Sequence, residues 1–136
     1  MNEFAAIQSM LKPGNTIAVI GLSDNSSKPS NYVPAYMQQH GFRILPVNPA
    51  VTAVLGEKAY ASLAEVVAAD FKPDVVNVFR LPKFIPAIVD DMITLGLTRL
   101  WIQQGIIDLE SAARAESAGI QVVMDRCIMM EHRHST

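Results

Sequence analysis

Three cations in the sequence follow or lie beside apolar runs that are typical of strands. Lys28 comes after the polar segment that follows Gly21, and Arg80 and Arg126 follow two later apolar runs. In open α/β sheets, ligands bind at the carboxyl ends of the strands, near the point where the strand order reverses. A helix that begins just after the first loop would add N–H donors and a favourable dipole. The pattern indicates a phosphate-bearing ligand, and the alternative is that the three charges are solvated loop residues.

Two common phosphate-binding motifs are missing from these loops. Gly21 stands alone, so the G-x-G-x-x-G fingerprint of NAD-binding proteins is absent. Asn48-Pro49 stands where an acidic residue would hold a ribose hydroxyl. No glycine precedes Lys28 at the spacing of a P-loop. The sequence therefore disfavours an ordinary dehydrogenase and an ordinary NTPase.

No set of nucleophile, base and orienting residue is apparent, so catalysis is not indicated. Cys127 has two interpretations: a reactive thiol whose thiolate form Arg126 favours, or a small, partly buried side chain. Cys127, His132 and His134 do not provide the three or four well-placed ligands that zinc usually needs, and a solvated tail is the alternative. The sequence predicts no catalytic residue and no metal ligand, and an enzyme stays an open alternative.

The elements that must position these residues alternate along the chain. Short apolar runs predict strands, and longer periodic stretches between them predict helices. Such alternation implies a parallel sheet with helices on both faces. Right-handed crossovers then favour a doubly wound, three-layer sheet of five strands in the order 3-2-1-4-5, with residues 1–136 as a single domain. The predicted strands are residues 16–21, 43–47, 74–79, 99–102 and 120–124.

Composition and charge limit the class of protein. Half of the 136 residues are apolar and 18% are charged, which excludes an intrinsically disordered chain. Eleven basic residues against 13 acidic ones argue against a dedicated nucleic-acid binder. No apolar run approaches the roughly 18 residues of a membrane span, and the first residues do not resemble a secretory signal. With a single cysteine, the sequence predicts a cytoplasmic protein with neither a nucleic-acid nor a membrane partner.

Six short motifs stand in order along the chain. Together they resemble the small stand-alone CoA-binding domain proteins, relatives of the CoA-binding domain of succinate–CoA ligase α subunits. The resemblance runs from about residue 17 to residue 133 and implies a Rossmann-like, nucleotide-binding fold that holds coenzyme A or an acyl-CoA at the strand ends. The motifs are Gly21-Leu22-Ser23, Lys28-Pro29-Ser30, Pro46-Val47-Asn48-Pro49, Val78-Phe79-Arg80, Trp101-Ile102-Gln103-Gln104-Gly105 and Met124-Asp125-Arg126-Cys127.

The resemblance also implies which residues contact the ligand. Lys28 is expected to meet a phosphate, and Arg80 to pair with a phosphate or stack on the base. A close backbone approach is expected at Gly21, and a hydroxyl contact to phosphate at Ser23. Residues 47–49 are expected to line the nucleoside, and Gln103 and Gly105 to flank the pantetheine arm. The full predicted set is Gly21, Ser23, Lys28, Val47, Asn48, Pro49, Phe79, Arg80, Gln103, Gly105 and Arg126.

The phosphorylated histidine of the ligase α subunits is carried by a second domain, and none of the three histidines here stands in a comparable context. We therefore expect binding without turnover, in a carrier or regulatory module. The alternatives are an NAD(P)-dependent enzyme and one part of an acyl-CoA ligase. A homodimer and an unidentified protein partner are further alternatives.

Overall fold

Five apolar runs of the chain form one parallel sheet, and six α-helices cover its two faces. The structure is a computed structural model that describes residues 3–135. A 3-10 turn, Pro82–Phe84, precedes α4. The elements in chain order are α1 (Glu3–Met10), β1 (Thr16–Ile20), α2 (Pro29–Gln39), β2 (Arg43–Val47), β3 (Ala53–Val54), β4 (Glu57–Lys58), α3 (Leu63–Ala68), β5 (Val75–Val78), α4 (Ile85–Leu95), β6 (Arg99–Ile102), α5 (Leu109–Ser117), β7 (Gln121–Met124) and α6 (Ile128–Ser135).

The sheet has the order β2-β1-β5-β6-β7, and every neighbouring pair is parallel. The doubly wound, five-stranded, Rossmann-like α/β fold is thereby confirmed. The predicted order placed the third strand at the edge of the sheet, next to β2. In the structure, that position holds a single parallel bridge between Val47 and Tyr60. The third long strand, β5, lies on the other side of β1. The short strands β3 and β4 form a separate antiparallel pair.

Side chains alternate between the two faces of the sheet, as a strand's period of two requires. In β6, Leu100 and Ile102 pack with α3, α4 and α5, whereas Trp101 packs with α1, α2 and α6. All three side chains are fully buried. The helices therefore form two outer layers, and Trp101 is a core residue.

Three helix ends carry residues that are typical caps. Ser62 and Asp108 cap α3 and α5, accepting hydrogen bonds from the N–H groups of Glu65 and Ser111. Gly96 ends α4 in the left-handed region with φ 71°. Each cap fixes where a helix meets the sheet.

Two helices were not predicted from the sequence. The first is α1, and the second is α6, whose residues were interpreted as a tail. The buried residues Met10 of α1 and Ile128 of α6 join the core beside Trp101. Within residues 3–135, no helix is both long and apolar enough to cross a bilayer.

Candidate functional site

A groove of about 780 Å³ lies at the carboxyl edge of the sheet. The chain leaves the neighbouring strands β1 and β5 toward opposite faces, into α2 and α4 respectively, so the topology switches there. Such a switch point is where open α/β sheets bind ligands. The groove is lined by Lys28, Pro29, Ser30, Tyr32, Val33, Phe79, Arg80, Leu81, Phe84, Gln103, Gln104, Ile106, Cys127, Met129 and Met130.

The loop after β1 packs directly against the loop after β5 at Gly21. Gly21 has φ 86°, and a Cβ built on it would lie 2.8 Å from the carbonyl oxygen of Phe79 and 3.2 Å from Cδ of Arg80. Only glycine fits both the backbone conformation and this space. Gly21 therefore allows the two loops to pack together, and this contact positions the Arg80 side chain at the groove.

Two asparagines hold the loop after β1 in place. Nδ2 of Asn31 donates to the Ser23 carbonyl at 2.7 Å, and Nδ2 of Asn48 donates to the Leu22 carbonyl at 2.9 Å. The Ser23 hydroxyl oxygen accepts from the N–H of Asn25 at 3.0 Å. These bonds connect the loop to the start of α2 and the end of β2. In this structure Asn48 organises the groove edge through its side-chain amide.

Two cations, Lys28 and Arg80, line the groove. Lys28 is exposed at the amino end of α2, where no side chain caps the helix. The Arg80 guanidinium lies 3.9 Å above the Phe84 ring centre. Within residues 3–135, neither cation has a carboxylate at salt-bridge distance. Their charges remain available to an anion.

Gln103 positions the wall of the groove that the start of α6 forms, opposite the cations. Its side chain is 4% exposed, and Oε1 accepts from the N–H of Ile128 at 3.0 Å and from Nδ2 of Asn77 at 3.3 Å. The Trp101 indole N–H donates to the Arg126 carbonyl at 2.8 Å. These contacts fix the first turn of α6 against the sheet, which places Cys127 and Met129 in the groove wall.

The structure brings together four of the residues predicted to contact the ligand, because Lys28, Phe79, Arg80 and Gln103 all line the groove. Gly21 and Ser23 lie in its adjoining loop. Val47 is buried in the core. Asn48 and Pro49 border a separate hollow of about 520 Å³ near Tyr60. The N–H of Gly105, in the loop after β6, donates to Oδ1 of Asp125 at 2.8 Å.

Arg126 lies apart from the groove. Its guanidinium pairs with Glu3 at 2.8 Å and with Glu131 at 2.7 Å. Hydrogen bonds to these two carboxylates raise the pKa of Arg126 further above its ordinary value. The side chain borders a hollow of about 1000 Å³ between α1 and α6.

Sequence reasoning missed most of the apolar residues that line the groove. Tyr32, Leu81 and Phe84 stand in or beside the recognised motifs. Large apolar side chains in loops or at helix starts, where they are not needed for the core, are the sequence feature that could have indicated them. Met129 and Met130 were missed because α6 was not predicted. The apolar pair Met129-Met130, followed by polar residues, is the pattern that could have predicted a helix with one face packed on the protein.

Cys127 and His132 are not brought together. Cys127 lines the groove, whereas Nδ1 of His132 is hydrogen bonded to the Tyr36 hydroxyl at 2.8 Å. Burial, and to a lesser extent the nearby His40, lower the pKa of His132. Within the described part of the chain, no three His, Cys, Asp or Glu side chains are placed to hold a metal ion.

The fold and the groove define a doubly wound α/β domain with an open groove at its switch point. Residues 15–133 match the CoA binding domain family, so this chain belongs to that family. The Bacillus subtilis (strain 168) protein YneT, which is called uncharacterized, is 37% identical over 128 residues, covering 94% of this chain and 93% of its own.

Solved structures agree with this assignment. The protein called cell-free ID.343 from Thermus thermophilus is 36% identical, with a TM-score of 0.86 over 100% of both chains. The dinucleotide forming acetyl-coenzyme A synthetase 1 of Ca. Korarchaeum cryptofilum, in its apo form, has a TM-score of 0.72 at 21% identity. That match covers 87% of this chain and 28% of the synthetase, and at this identity it shows the fold alone.

Proposed function

We propose that this protein binds coenzyme A or an acyl-CoA in the groove at the carboxyl edge of its sheet, as a carrier or regulatory module without turnover. The observation that carries the proposal is the pair of cations, Lys28 and Arg80, which have no acidic partner among residues 3–135 and flank a mostly apolar groove. Coenzyme A is an anion at its nucleotide end and largely uncharged along its pantetheine arm. The groove has the same polarity.

The phosphates are assigned to the cationic side of the groove. Lys28 is exposed at the amino end of α2, where the helix dipole adds to its charge. The Arg80 guanidinium already stacks on Phe84, which leaves its edge for phosphate oxygens or its outer face for the adenine. Both groups favour the phosphate-rich half of the ligand.

The pantetheine arm is assigned to the part of the groove that carries its uncharged polar side chains. Ligand sites of this kind are mostly apolar, with a few polar groups that fix orientation. Ser30, Gln103 and Gln104 are the uncharged polar side chains in the wall, apart from the Tyr32 hydroxyl and the Cys127 thiol. The amides of the arm require only a few such partners.

The remaining predicted contacts do not line this groove. Asn48 and Pro49, which follow Val47, are candidates to line the nucleoside. Gly21, Ser23 and Gly105 stay predicted contacts in the neighbouring loops. Arg126, the predicted contact in the loop after β7, is assigned a minor part, because its guanidinium pairs with Glu3 and Glu131 and faces the hollow between α1 and α6. A homodimer or a protein partner likewise stays a prediction.

The groove chemistry supports binding rather than acid–base catalysis. General acid–base work usually needs an imidazole or a carboxylate within hydrogen-bond reach of the reacting group. Among the described residues that line the groove, none is histidine, aspartate or glutamate.

Calorimetry of the apo protein with coenzyme A, acetyl-CoA, NAD and ATP tests this proposal. We expect coenzyme A and acetyl-CoA to bind at micromolar concentration and NAD not to bind. Arg80→Ala and Lys28→Ala should each weaken binding by about tenfold to a hundredfold, since a charge-assisted hydrogen bond contributes about 1.5–3 kcal/mol.

Arg43→Ala is the matched control for Arg80→Ala. Arg43 stacks on Phe71 at 4.7 Å, but it begins β2 at the opposite edge of the sheet. It should leave the affinity for coenzyme A unchanged. A preference for NAD, no binding of either CoA compound, or equal losses in Arg43→Ala and Arg80→Ala would contradict the proposed site.

A further inference from the structure

The two halves of the groove differ in charge. Its cations, Lys28 and Arg80, come from the segments that follow β1 and β5. The segments that follow β6 and β7 contribute amide, aliphatic, thiol and thioether side chains but neither a cation nor a carboxylate. Because β1 and β5 are neighbours and β6 and β7 are neighbours, the charge is concentrated on one side of the groove.

The cation after β7 is held outside the groove. Arg126 pairs with Glu3 at 2.8 Å and with Glu131 at 2.7 Å, and it faces the hollow between α1 and α6. Glu131 lies on α6, whose first turn carries the groove residues Met129 and Met130. The ion pairs therefore leave the α6 side of the groove without a charge.

Four of the eight large apolar side chains that are exposed within residues 3–135 line this groove. Tyr32, Leu81, Phe84 and Met130 are each at least 37% exposed and all line it. Large apolar groups usually reach the surface singly, and a cluster around a concave site marks a surface that a ligand or partner covers. Phe84 has the Arg80 guanidinium over its ring, whereas Met130 lies on the uncharged side.

We propose that the uncharged half of the groove, formed by Ile106, Met129 and Met130, holds the acyl chain of an acyl-CoA of medium length. This inference rests on the proposed function, and it orients the ligand with its phosphates at Lys28 and Arg80 and its thioester toward β6 and β7. Methionine side chains are unbranched and flexible, so they adapt to an aliphatic chain. The protein then prefers such an acyl-CoA to free coenzyme A.

Calorimetry with free, acetyl-, butanoyl-, hexanoyl- and octanoyl-CoA tests the inference. Burial of a methylene from water is favourable enough to strengthen binding by about two- to fourfold per group in a partly open groove. Affinity should therefore rise along the series until the chain leaves the groove. Met130→Ser should weaken octanoyl-CoA binding by about tenfold while free coenzyme A changes by less than about twofold.

Ile93→Ser is the matched control, because Ile93 is 45% exposed on α4 and does not line the groove, whereas Met130 is 38% exposed. It should leave every affinity unchanged. Lys28→Ala should weaken free and acylated coenzyme A by the same factor.

These measurements distinguish a failure of the acyl-chain site from a failure of the proposed function. If coenzyme A binds and octanoyl-CoA binds no more tightly, the acyl-chain site is wrong and the proposed function stands. If Met130→Ser weakens free and octanoyl-CoA equally, the orientation is wrong. If neither ligand binds, the proposed function fails, and the acyl-chain site fails with it.

Discussion

The groove at the carboxyl edge of the sheet and the hollow between α1 and α6 share one helix but differ in how their charges are used. The hollow is larger, about 1000 Å³ against about 780 Å³. Its three cations, Lys12, Arg99 and Arg126, share the lining with the carboxylates of Glu3, Asp74 and Glu131. Arg126 pairs with two glutamates, and Nε of Arg99 donates to the Ser9 hydroxyl at 2.7 Å. Lys28 and Arg80 in the groove have no such acidic partner among the described residues.

The difference shows that volume is a poor guide to a ligand site here. Paired charges have already satisfied one another, so an anion that enters the hollow must compete with Glu3 and Glu131. A cation without an acidic partner offers its full attraction to a phosphate. The smaller space is therefore the better candidate for an anionic ligand.

The strongest test of the comparison concerns a glycine at each site. Gly21→Ala at the groove should lower the free energy of unfolding by about 3 kcal/mol, because the φ of 86° costs an L-residue about 1–2 kcal/mol and the new Cβ overlaps the Phe79 carbonyl. Gly14→Ala, in the turn beside the hollow, has φ 85° and open space, so we expect about 1 kcal/mol. Urea unfolding measures both, and equal losses would show that the Phe79 contact relaxes easily.

A smaller effect is expected for Arg126→Ala. Its ion pairs are partly exposed, so each contributes at most about 1 kcal/mol, and the loss should shrink in high salt. Binding of coenzyme A should change by less than about threefold, because Arg126 faces the hollow. A loss of binding as large as that of Arg80→Ala would place Arg126 at the ligand and remove the contrast between the two regions.

The smallest effect concerns His132, which joins α6 to α2 through Tyr36. Burial first, and the charge of His40 second, lower the pKa of His132 below 6.5. The unfolded chain therefore takes up this proton before the folded protein does, so stability falls as pH drops through 6.5 and levels off below the folded pKa. Urea unfolding at pH 7.5 and 5.5 should show a flatter dependence in His132→Gln.

His134→Gln, on the exposed side of the same helix, is the control for this change. An unchanged pH dependence in His132→Gln would mean that other groups cause it. A ligand affinity that falls with the stability would further show that the α2–α6 contact supports the groove.

The sheet was predictable because its strands are continuous apolar runs. The bounds predicted for Arg43–Val47 and Arg99–Ile102 agree with the structure. Helix α2 begins at Pro29, a residue type that favours the first helical position. The missed helices, α1 and α6, are short and depend on packing against the sheet, which a periodicity argument does not see.

The candidate site was predictable to the level of loops. The rule for strand ends selected the loops of Lys28 and Arg80, and the family resemblance added Gln103. The structure brings all three residues to the groove. The rule for strand ends also selected Arg126, whose direction depends on Glu3 and Glu131 in the two unpredicted helices. The position of a side chain relative to a groove is set by such distant partners, which the local sequence does not name.

The groove walls come from segments about a hundred residues apart, 28–33 and 127–130. Contacts between distant segments form late in folding, because the chain must first pay the entropy of closing a long loop. A ligand that contacts both walls therefore links an N-terminal and a C-terminal segment of the chain by reversible, noncovalent contacts. Coenzyme A should slow global unfolding and protect the backbone amides of α2 and α6 together from hydrogen exchange.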